Sequence, residues 1–266
     1  MTTTETRQSD FLKTRSDGGV VTVTIDRPAR KNAMNQAMWR AIAALYRGFA
    51  EDASVRAVVL AGAGGDFCAG ADIGEFETVR GDAASARAYE ADNSAAFAAI
   101  RDCPAPTVAA IGGICFGGGF GMAAACDIRI ASDDALFSVP AARLGLAYPV
   151  DAMADIVHAL GPQAAKYLAF SAARLDARAA RAAGFLLEVT EKDGLAARAG
   201  EIAATIAANA PLSVRASKAS IRAVLSGDPA DVARATALGD ATFESADYAE
   251  GRAAFRDRRP ARFSGA

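Results

Sequence analysis

The chain has 266 residues, 52% of them hydrophobic, with 29 basic and 31 acidic side chains. This length suits one large domain or a core with a smaller appendage, and the apolar content excludes a disordered chain. The near-neutral charge gives no general field for nucleic acid or an anionic membrane. A polar N-terminus and the lack of an apolar run of about 18 residues predict a cytoplasmic protein with neither a signal peptide nor a membrane span.

Strands and helices alternate along the first part of the chain. β-branched residues predict a strand at 20–26, and apolar residues spaced by four and three predict a helix at 35–52. The pattern continues with buried strands at 57–61, 107–111 and 127–131, and with helices at 84–101 and 120–125. This alternation predicts an α/β core, and it fits both a doubly wound sheet and a stacked spiral of ββα units.

The character of the chain changes after about residue 195. Helices are predicted at 194–209, from Pro211 onward, at 230–239 and at 248–256, with no strand after 186–189. We therefore divide the chain into a core at residues 1–206 and a helical C-terminal region at 207–266.

Four cysteines and one histidine are the candidates for thiol or metal chemistry: Cys68, Cys103, Cys115, Cys126 and His158. No C-x-x-C pair occurs, and a single histidine leaves too little for a zinc site, so no metal is predicted. The cysteines lie in apolar or glycine-rich stretches, which is typical of reduced core thiols. Nothing beside Cys68 or Cys115 is expected to lower the thiol pKa, and His158 is expected to be structural.

Two glycine-rich loops each follow a buried strand and precede a helix: GAGGDFCAGAD at 62–72 and GGICFGGG at 112–119. Glycine lets a ligand approach the backbone, and a helix N-terminus presents unpaired N–H groups. One N–H from each loop, converging on a point, would form an oxyanion hole. A simple tight turn fits equally well, whereas the P-loop ending and the dinucleotide fingerprint are both absent.

Five segments together resemble the crotonase (enoyl-CoA hydratase/isomerase) family. They are IDRPARKNAMN, AGAGGDFCAGADI, PAPTVAAIGGICFGGGFGMAAACDIRIAS, LFSVPAARLGLAYP and EGRAAFRDRRPARF, in this order between about residues 10 and 264. The resemblance implies a spiral of ββα units and a helical C-terminal part that forms trimers, which commonly stack into hexamers. It also implies an acyl-CoA thioester as substrate, so coenzyme A enters as part of the substrate and no cofactor is permanently bound.

The same resemblance assigns roles to individual positions. The amides of Ala71 and Gly118 fall where the family holds the thioester oxygen, and they would stabilise an enolate-like state. The positions that match the family's coenzyme A contacts are Arg27, Ala29, Arg30, Ala69, Ala71, Asp72, Ile73, Phe255 and Arg258. The last two would reach the coenzyme A of a neighbouring subunit. Solvated charges are an equally good interpretation of Arg258 and its neighbour Arg259.

The chain departs from the family at its proton-transfer positions. Hydratases carry glutamates where this chain has Gly121 and Ala141, and dienoyl-CoA isomerases use an aspartate where it has Pro149. Neither glycine nor alanine can transfer a proton, so ordinary water addition to an enoyl-CoA is not expected.

Two titratable side chains follow Ala141 along the chain. Tyr148 occupies a position that is tyrosine in methylmalonyl-CoA decarboxylases of the family, although those enzymes have histidine where this chain has Ala71. Tyr148 is either a catalytic group or an aromatic lining the pocket. Asp151 is either a displaced carboxylate or the N-cap of a helix at 152–160.

These features leave three functional hypotheses. The first is an isomerase, lyase or decarboxylase that depends on the oxyanion hole, and the intact glycine loops favour it. The second is an acyl-CoA-binding protein without catalysis, which the missing glutamates favour. The third is an assembly partner with the same fold.

Overall fold

A computed structural model describes residues 4–9, as backbone only, and residues 11–266. Within this part of the chain, seven strands form one sheet in the order β1-β2-β3-β4-β5-β7-β10. Their bounds are β1 Thr4–Ser9, β2 Leu12–Asp17, β3 Val20–Ile25, β4 Ala57–Gly62, β5 Thr107–Ile111, β7 Ile128–Ser132 and β10 Glu188–Thr190. A smaller sheet joins β6 Ile114–Phe116, β8 Leu136–Ser138 and β9 Arg174–Asp176.

Helices surround the two sheets. In the core they are α1 Gln36–Glu51, α2 Phe76–Val79, α3 Ala83–Asp102, α4 Gly118–Ala125, α5 Val150–Leu160, α6 Pro162–Ser171, α7 Ala177–Ala182 and α8 Leu195–Ala207. The C-terminal region contains α9 Pro211–Ser226, α10 Pro229–Thr242 and α11 Ala246–Arg256. No helix in the described residues is both long and apolar enough to cross a membrane.

The central strands are covered on both faces. Strand β5 is buried at every residue, and β4 is buried over its first four. On one face, Val59 and Val108 pack against Ala199 and Ala203 of α8. The other face contributes to the main core, which includes Trp39 of α1 and Phe97 of α3. Burial on both faces explains the continuous apolar sequence of these strands.

The parallel register from β3 through β4, β5 and β7 brings the carboxyl ends of these strands to one edge of the sheet. The two glycine-rich loops leave the sheet from β4 and β5, so they start side by side. They also pair with each other, through a bridge between Cys68 and Cys115. The topology therefore brings together two segments that lie about fifty residues apart in the sequence.

The predicted strands and helices are confirmed, with shifts of one to two residues at most ends of the core elements. The small second sheet shows that the core is a spiral of ββα units, since its strands alternate with those of the large sheet along the chain. The prediction omitted β1, β2, β6, β8 and β9. Three of these have only three residues, too few for an alternating pattern to be recognised.

The C-terminal helices begin beneath the amino ends of the strands. Arg215 of α9 donates to the carbonyls of Ala53 and Val55, each at 3.3 Å. Lys218 forms an ion pair with Asp127 at 2.7 Å, just before β7. Helix α9 is thus anchored at the opposite end of the sheet from the glycine loops. The division between residues 206 and 207 stays a prediction.

Candidate active site

Two backbone amides that donate to no described residue lie close together where the glycine loops meet. Met34 donates to the Gly70 carbonyl and Asp72 donates to the Met34 carbonyl, both at 2.8 Å, so the strand-like pairing skips the Ala71 N–H. Gly118 is the first residue of α4, where an N–H has no acceptor within the helix. A β-carbon added at Gly118 would lie 3.9 Å from the Ala71 nitrogen. The two predicted amides are therefore neighbours, and in the described part of the chain neither has an acceptor.

This approach requires glycine at two flanking positions. Gly70 has φ +98° and Gly117 has φ +56°, values that side-chain-bearing residues rarely adopt. A β-carbon on Gly70 would lie 2.9 Å from the Phe116 carbonyl oxygen and 3.2 Å from the Gly118 nitrogen. Any larger residue would push the loops apart and separate the two donors.

An aromatic support lies beneath the second loop. A β-carbon at Gly118 would come within 2.8 Å of Cη2 of Trp39, so the indole fits against the glycine backbone. The Trp39 indole N–H donates to the Tyr89 hydroxyl at 3.0 Å, and that hydroxyl donates to the Met34 carbonyl at 3.3 Å. Since Met34 also pairs with the first loop, this chain of bonds ties both loops to the core.

Gly121 stands at the first position where hydratases are expected to carry a glutamate, and an aromatic ring occupies the space beside it. A β-carbon at Gly121 would lie 2.7 Å from Cζ of Phe97. Phe97 is itself buried and packs edge-to-face against Trp39, with ring centroids 5.8 Å apart. The second position, Ala141, is buried in a 3-10 turn over Pro140–Leu144. Neither glycine nor alanine carries a side chain that can transfer a proton.

Tyr148, one of the two nominated titratable side chains, lies beside the second loop. A β-carbon at Gly117 would lie 3.7 Å from the Tyr148 hydroxyl oxygen. That hydroxyl hydrogen-bonds to no described residue. Burial raises the pKa of the phenol above its usual range, and the nearby thiols of Cys115 and Cys68 add to the shift. At neutral pH the Tyr148 phenol is therefore uncharged.

Asp151, the other nominated titratable side chain, lies in the first turn of helix α5. Helix α5 begins at Val150 with Pro149 as its N-cap, so the interpretation of Asp151 as an N-cap is wrong. The reason is that the fixed φ of proline already suits the helix entry, which moves Asp151 into the first turn. Its carboxylate accepts from the Ser94 hydroxyl at 3.3 Å.

Asp151 also lines a cavity of 960 Å³ whose walls include α5 and α9. Asp155 and His158 of the same helix line this cavity, and Asp155 pairs with Arg101 at 2.8 Å. His158 is exposed there, not packed in the core. The contacts of Asp151 are thus with α3 and this cavity, while Tyr148 contacts the second loop.

The expected coenzyme A segment around Arg27 is held to the first loop by polar contacts. The Arg27 guanidinium donates to Asp72 at 2.7 Å and to the Ala33 carbonyl at 3.0 Å. Burial alone raises the pKa of the Asp72 carboxyl. Hydrogen bonds from Arg27 and the Gly74 amide outweigh this and hold the pKa below its usual range. Arg27 and Asp72 are therefore partners of each other.

The other expected coenzyme A positions on these segments are near the surface. Ala29, Arg30 and Ile73 are exposed, and Ala69 is half-buried, with its amide donating to the Lys31 carbonyl at 2.9 Å.

Sequence reasoning missed Asn32. It is fully buried with φ +55°, and its amide donates to the carbonyls of Ala63 and Asp66 at 2.8 and 2.6 Å. Its side-chain oxygen accepts from the Arg27 amide at 2.8 Å. Asparagine adopts the left-handed region more readily than most residues. Its occurrence after Lys31, just before the first helix, was the one sequence feature that could have indicated a tight turn at this point.

Phe255 and Arg258 lie at the end of α11. Phe255 is 89% exposed, and Arg258 has φ +52°. The neighbouring Arg259 is paired with Glu250 at 2.6 Å, so it is held within its own chain. The role of Phe255 and Arg258 toward a neighbouring subunit stays a prediction.

The four cysteines are all buried and unpaired. Burial raises the pKa of Cys68 and Cys126 to about 12, raises that of Cys115 well above the usual range, and raises that of Cys103. The interpretation of these residues as reduced core thiols is confirmed. Cys68 and Cys115 shape the two loops but are poor nucleophiles.

Comparisons with known proteins agree with this architecture. The family model for enoyl-CoA hydratase/isomerase matches residues 15–266. The chain is 34% identical over 210 residues to a mitochondrial Delta(3,5)-Delta(2,4)-dienoyl-CoA isomerase of Mus musculus, covering 75% of this chain and 64% of that protein. It therefore spans less than two thirds of the length of that relative. It is 28% identical over 274 residues to the mitochondrial methylglutaconyl-CoA hydratase of Mus musculus, covering 98% and 86%.

A solved structure gives the same result. The crystal structure of an enoyl-CoA hydratase/carnithine racemase from Magnetospirillum magneticum superposes with a TM-score of 0.91 at 35% identity, covering 98% of this chain and 97% of that one. The sequence motifs, the paired glycine loops and the spiral fold therefore have one explanation: the chain belongs to the enoyl-CoA hydratase/isomerase, or crotonase, family.

Proposed function

We propose that this protein binds an acyl-CoA thioester, with the carbonyl oxygen between the amides of Ala71 and Gly118, and stabilises the enolate formed there. The observation that carries the proposal is the pair of free amides held side by side by the two loops. Such preorganised donors in a site shielded from water stabilise developing negative charge without reorganisation. Small side chains at both positions leave the backbone accessible to the thioester.

The chemistry we favour forms an enolate without a carboxylate base, as in decarboxylation. The electron pair of the breaking carbon–carbon bond moves into the thioester, and carbon dioxide leaves. Tyr148 then gives its phenolic proton to the α-carbon, and water reprotonates the phenolate. The raised pKa of Tyr148 suits a donor that is neutral before each turnover. Hydration requires a base that activates water, and Gly121 and Ala141 supply none.

A second candidate is an acyl-CoA-binding protein without turnover. It is supported by Phe97, whose ring fills the space next to Gly121 instead of leaving it open for a catalytic group or water. The two candidates share the binding site and differ only in whether Tyr148 transfers a proton.

Calorimetry with a panel of acyl-CoAs tests the shared site, and lack of binding to every one of them would contradict both candidates. Turnover is then measured on crotonyl-CoA and on malonyl-type CoA thioesters, with carbon dioxide release as the readout. Tyr148→Phe should abolish decarboxylation and preserve binding, while Tyr167→Phe, at a tyrosine 56% exposed on α6, should change neither. Fast crotonyl-CoA hydration would refute the proposed chemistry.

We also propose that the chain assembles as a trimer or hexamer through its C-terminal region. This part consists of α9, α10 and α11 and exposes apolar side chains such as Val224, Phe243 and Phe255. Light scattering measures the mass directly. A particle of 27.2 kDa, the mass of one chain, would contradict the proposal.

A further inference from the structure

The hydroxyl of Tyr89 connects the supports of the two glycine loops through a third element of the fold. Tyr89 lies in α3 and is fully buried. Its hydroxyl accepts from the Trp39 indole N–H at 3.0 Å and donates to the Met34 carbonyl at 3.3 Å. Trp39 and Met34 are fully buried as well. Water therefore does not compete for these bonds, and one hydroxyl group joins a residue of α1 to the segment that precedes it.

The Met34 side of this connection leads to the first loop. The Met34 N–H donates to the Gly70 carbonyl, and the Met34 carbonyl accepts from the Asp72 N–H, both at 2.8 Å. These two bonds lie on either side of Ala71, so the Met34 backbone fixes the stretch that carries the Ala71 amide. A carbonyl oxygen can accept two hydrogen bonds, and the Tyr89 hydroxyl is the second donor to this one.

The Trp39 side leads to the second loop. A β-carbon added at Gly118 would lie 2.8 Å from Cη2 and 2.9 Å from Cζ2 of Trp39, so this edge of the indole contacts the backbone that carries the Gly118 amide. Cζ2 and the indole nitrogen are bonded to the same ring carbon. Because the indole is rigid, the bond from its N–H to Tyr89 fixes the direction of the edge that meets Gly118.

The Tyr89 ring is itself held from its own side of the molecule. The Arg80 guanidinium lies over the ring at 4.6 Å from its centre, and Phe76 packs against it edge-to-face with centroids 6.0 Å apart. Burial raises the pKa of the Tyr89 phenol above its usual range, so at neutral pH the hydroxyl keeps the proton that it donates. The place of the hydroxyl is thus determined by α3 and its neighbours.

We propose that Tyr89 is a positioning residue of the thioester site, and that its hydroxyl sets the spacing of the Ala71 and Gly118 amides so that both reach one carbonyl oxygen. The inference rests on the proposed function and deepens it. Donors stabilise an enolate only when they are held within about 0.5 Å of the required geometry, and supporting hydrogen bonds supply that precision. Tyr89 acts on the two amides through Met34 and Trp39.

The test compares two ligands that differ only at the carbonyl group. Butyryl-CoA has the thioester oxygen, whereas S-butyl-CoA, the thioether, has a methylene in its place. In calorimetry the unmodified protein should bind butyryl-CoA at least about fivefold more tightly, the gain from two modest hydrogen bonds. Tyr89→Phe should reduce this preference by at least about threefold and leave the affinity for S-butyl-CoA unchanged.

The stretching band of the bound carbonyl gives a second readout. Infrared difference spectra are recorded with butyryl-CoA isotopically labelled at its carbonyl carbon. Hydrogen bonds from fixed donors polarise the carbonyl, so the band in the unmodified protein should lie below its position in water. In Tyr89→Phe the band should move back toward that position. A role of Tyr89 in stability alone would not move the band of the ligand that remains bound.

Thr107→Val is the matched control for loss of a buried hydroxyl. Thr107 is fully buried at the amino end of β5, the opposite end of the strand from the second loop. Its hydroxyl donates to the Asp127 carboxylate and accepts from the Asp127 amide, both at 2.9 Å. Thr107→Val should destabilise the fold, because it leaves these partners with one bond fewer, and should change neither the ligand preference nor the carbonyl band.

A second variant covers the case in which Tyr89→Phe does not fold. That substitution leaves the buried indole N–H of Trp39 without an acceptor, which is costly. The double variant Trp39→Phe/Tyr89→Phe removes both partners of the bond and leaves no donor unpaired. It should lose the preference for butyryl-CoA in the same way.

The outcomes separate the inference from the proposed function. If Tyr89→Phe, or the double variant in its place, keeps both the preference and the band position, the role of Tyr89 is overturned while the proposed function stands. If Tyr89→Phe weakens both ligands equally and leaves the band unchanged, Tyr89 supports only the fold, and the inference is again overturned. If the unmodified protein binds the two ligands equally, the amides do not hold the thioester oxygen. The proposed function then falls, and this inference falls with it.

Discussion

The contact between Phe97 and Gly121 gives a sharp test of why no side chain is present at this position. The perturbation is Gly121→Ala, which adds one methyl group inside α4. The new β-carbon would lie 2.7, 3.0 and 3.2 Å from three carbons of the Phe97 ring. All three distances are shorter than an ordinary carbon–carbon contact of about 3.5–4.0 Å. Since Phe97 is buried against Trp39, the ring cannot move away freely.

Two opposing effects determine how much Gly121→Ala changes the free energy of unfolding. Overpacking a core costs about 1–3 kcal/mol, whereas replacing glycine by alanine within a helix contributes about 1 kcal/mol of stability. We therefore expect Gly121→Ala to lower the free energy of unfolding by up to about 2 kcal/mol. The matched control is Gly200→Ala in α8, where an added β-carbon meets nothing within 4 Å. That variant should be more stable than the unmodified protein, since alanine favours the helix and no overpacking opposes this effect.

A double-mutant cycle with Phe97→Leu isolates the contact. Leucine is smaller than the ring, so the alanine methyl should partly fill the vacated space, and the double variant should be more stable than the two single effects predict. We expect a coupling of at least about 0.5 kcal/mol, the lower end for residues in contact. Urea unfolding followed by fluorescence of the single tryptophan, Trp39, measures each corner of the cycle. Additive effects, or a stabilised Gly121→Ala variant, would refute the packing argument.

Three further predictions concern the loops, the thiols and the C-terminal region. Gly118→Ala should weaken acyl-CoA binding about tenfold in calorimetry, because its β-carbon would lie 2.8 Å from Trp39 and displace the amide; an unchanged affinity would argue against this amide as a thioester donor. A thiol reagent at neutral pH should label none of the four buried cysteines until the protein unfolds, and rapid labelling of Cys68 would contradict its pKa of about 12. Hydrogen bonds from Arg259 and the Arg262 amide lower the pKa of Glu250 to about 2 from 4.5. The stabilisation from Glu250 is therefore complete above pH 4.5 and lost as the pH falls through 2, so Glu250→Gln should flatten the acid limb of a stability–pH curve; an unaltered limb would show that Glu250 does not contribute.

Local patterns in the sequence predicted the long elements because the interactions that start and cover them are themselves local. Asn35 precedes α1 and accepts from the Met38 amide at 2.9 Å, as an N-cap residue does. Apolar runs marked β4 and β5 because both faces of these strands are covered. The three-residue strands of the small sheet were missed since they form only when β8 reaches β6 and β9 in the folded chain. No pattern within three residues encodes such pairing.

The candidate site divides in the same way. The sequence alone indicated the two glycine loops, the amides of Ala71 and Gly118, and the absence of a carboxylate at Gly121 and Ala141. Each of these depends only on which residue occupies a position in a motif. The tertiary structure decided which of the nominated side chains reach the loops. It brings Tyr148 beside Gly117 and places Asp151 against Ser94. Tyr148 and Asp151 therefore have different surroundings, although they are only three positions apart in the sequence.

The tertiary structure also supplied two residues that no motif indicated. Phe97 fills the space next to Gly121, and Tyr89 joins Trp39 to Met34. Both lie in an alanine-rich helix whose sequence predicts only that one face is buried. What that face meets depends on how α3 packs against α1 and α4, and such contacts join residues that are far apart in the chain. Side-chain periodicity determines which residues are buried, whereas the packing of distant segments determines what they touch.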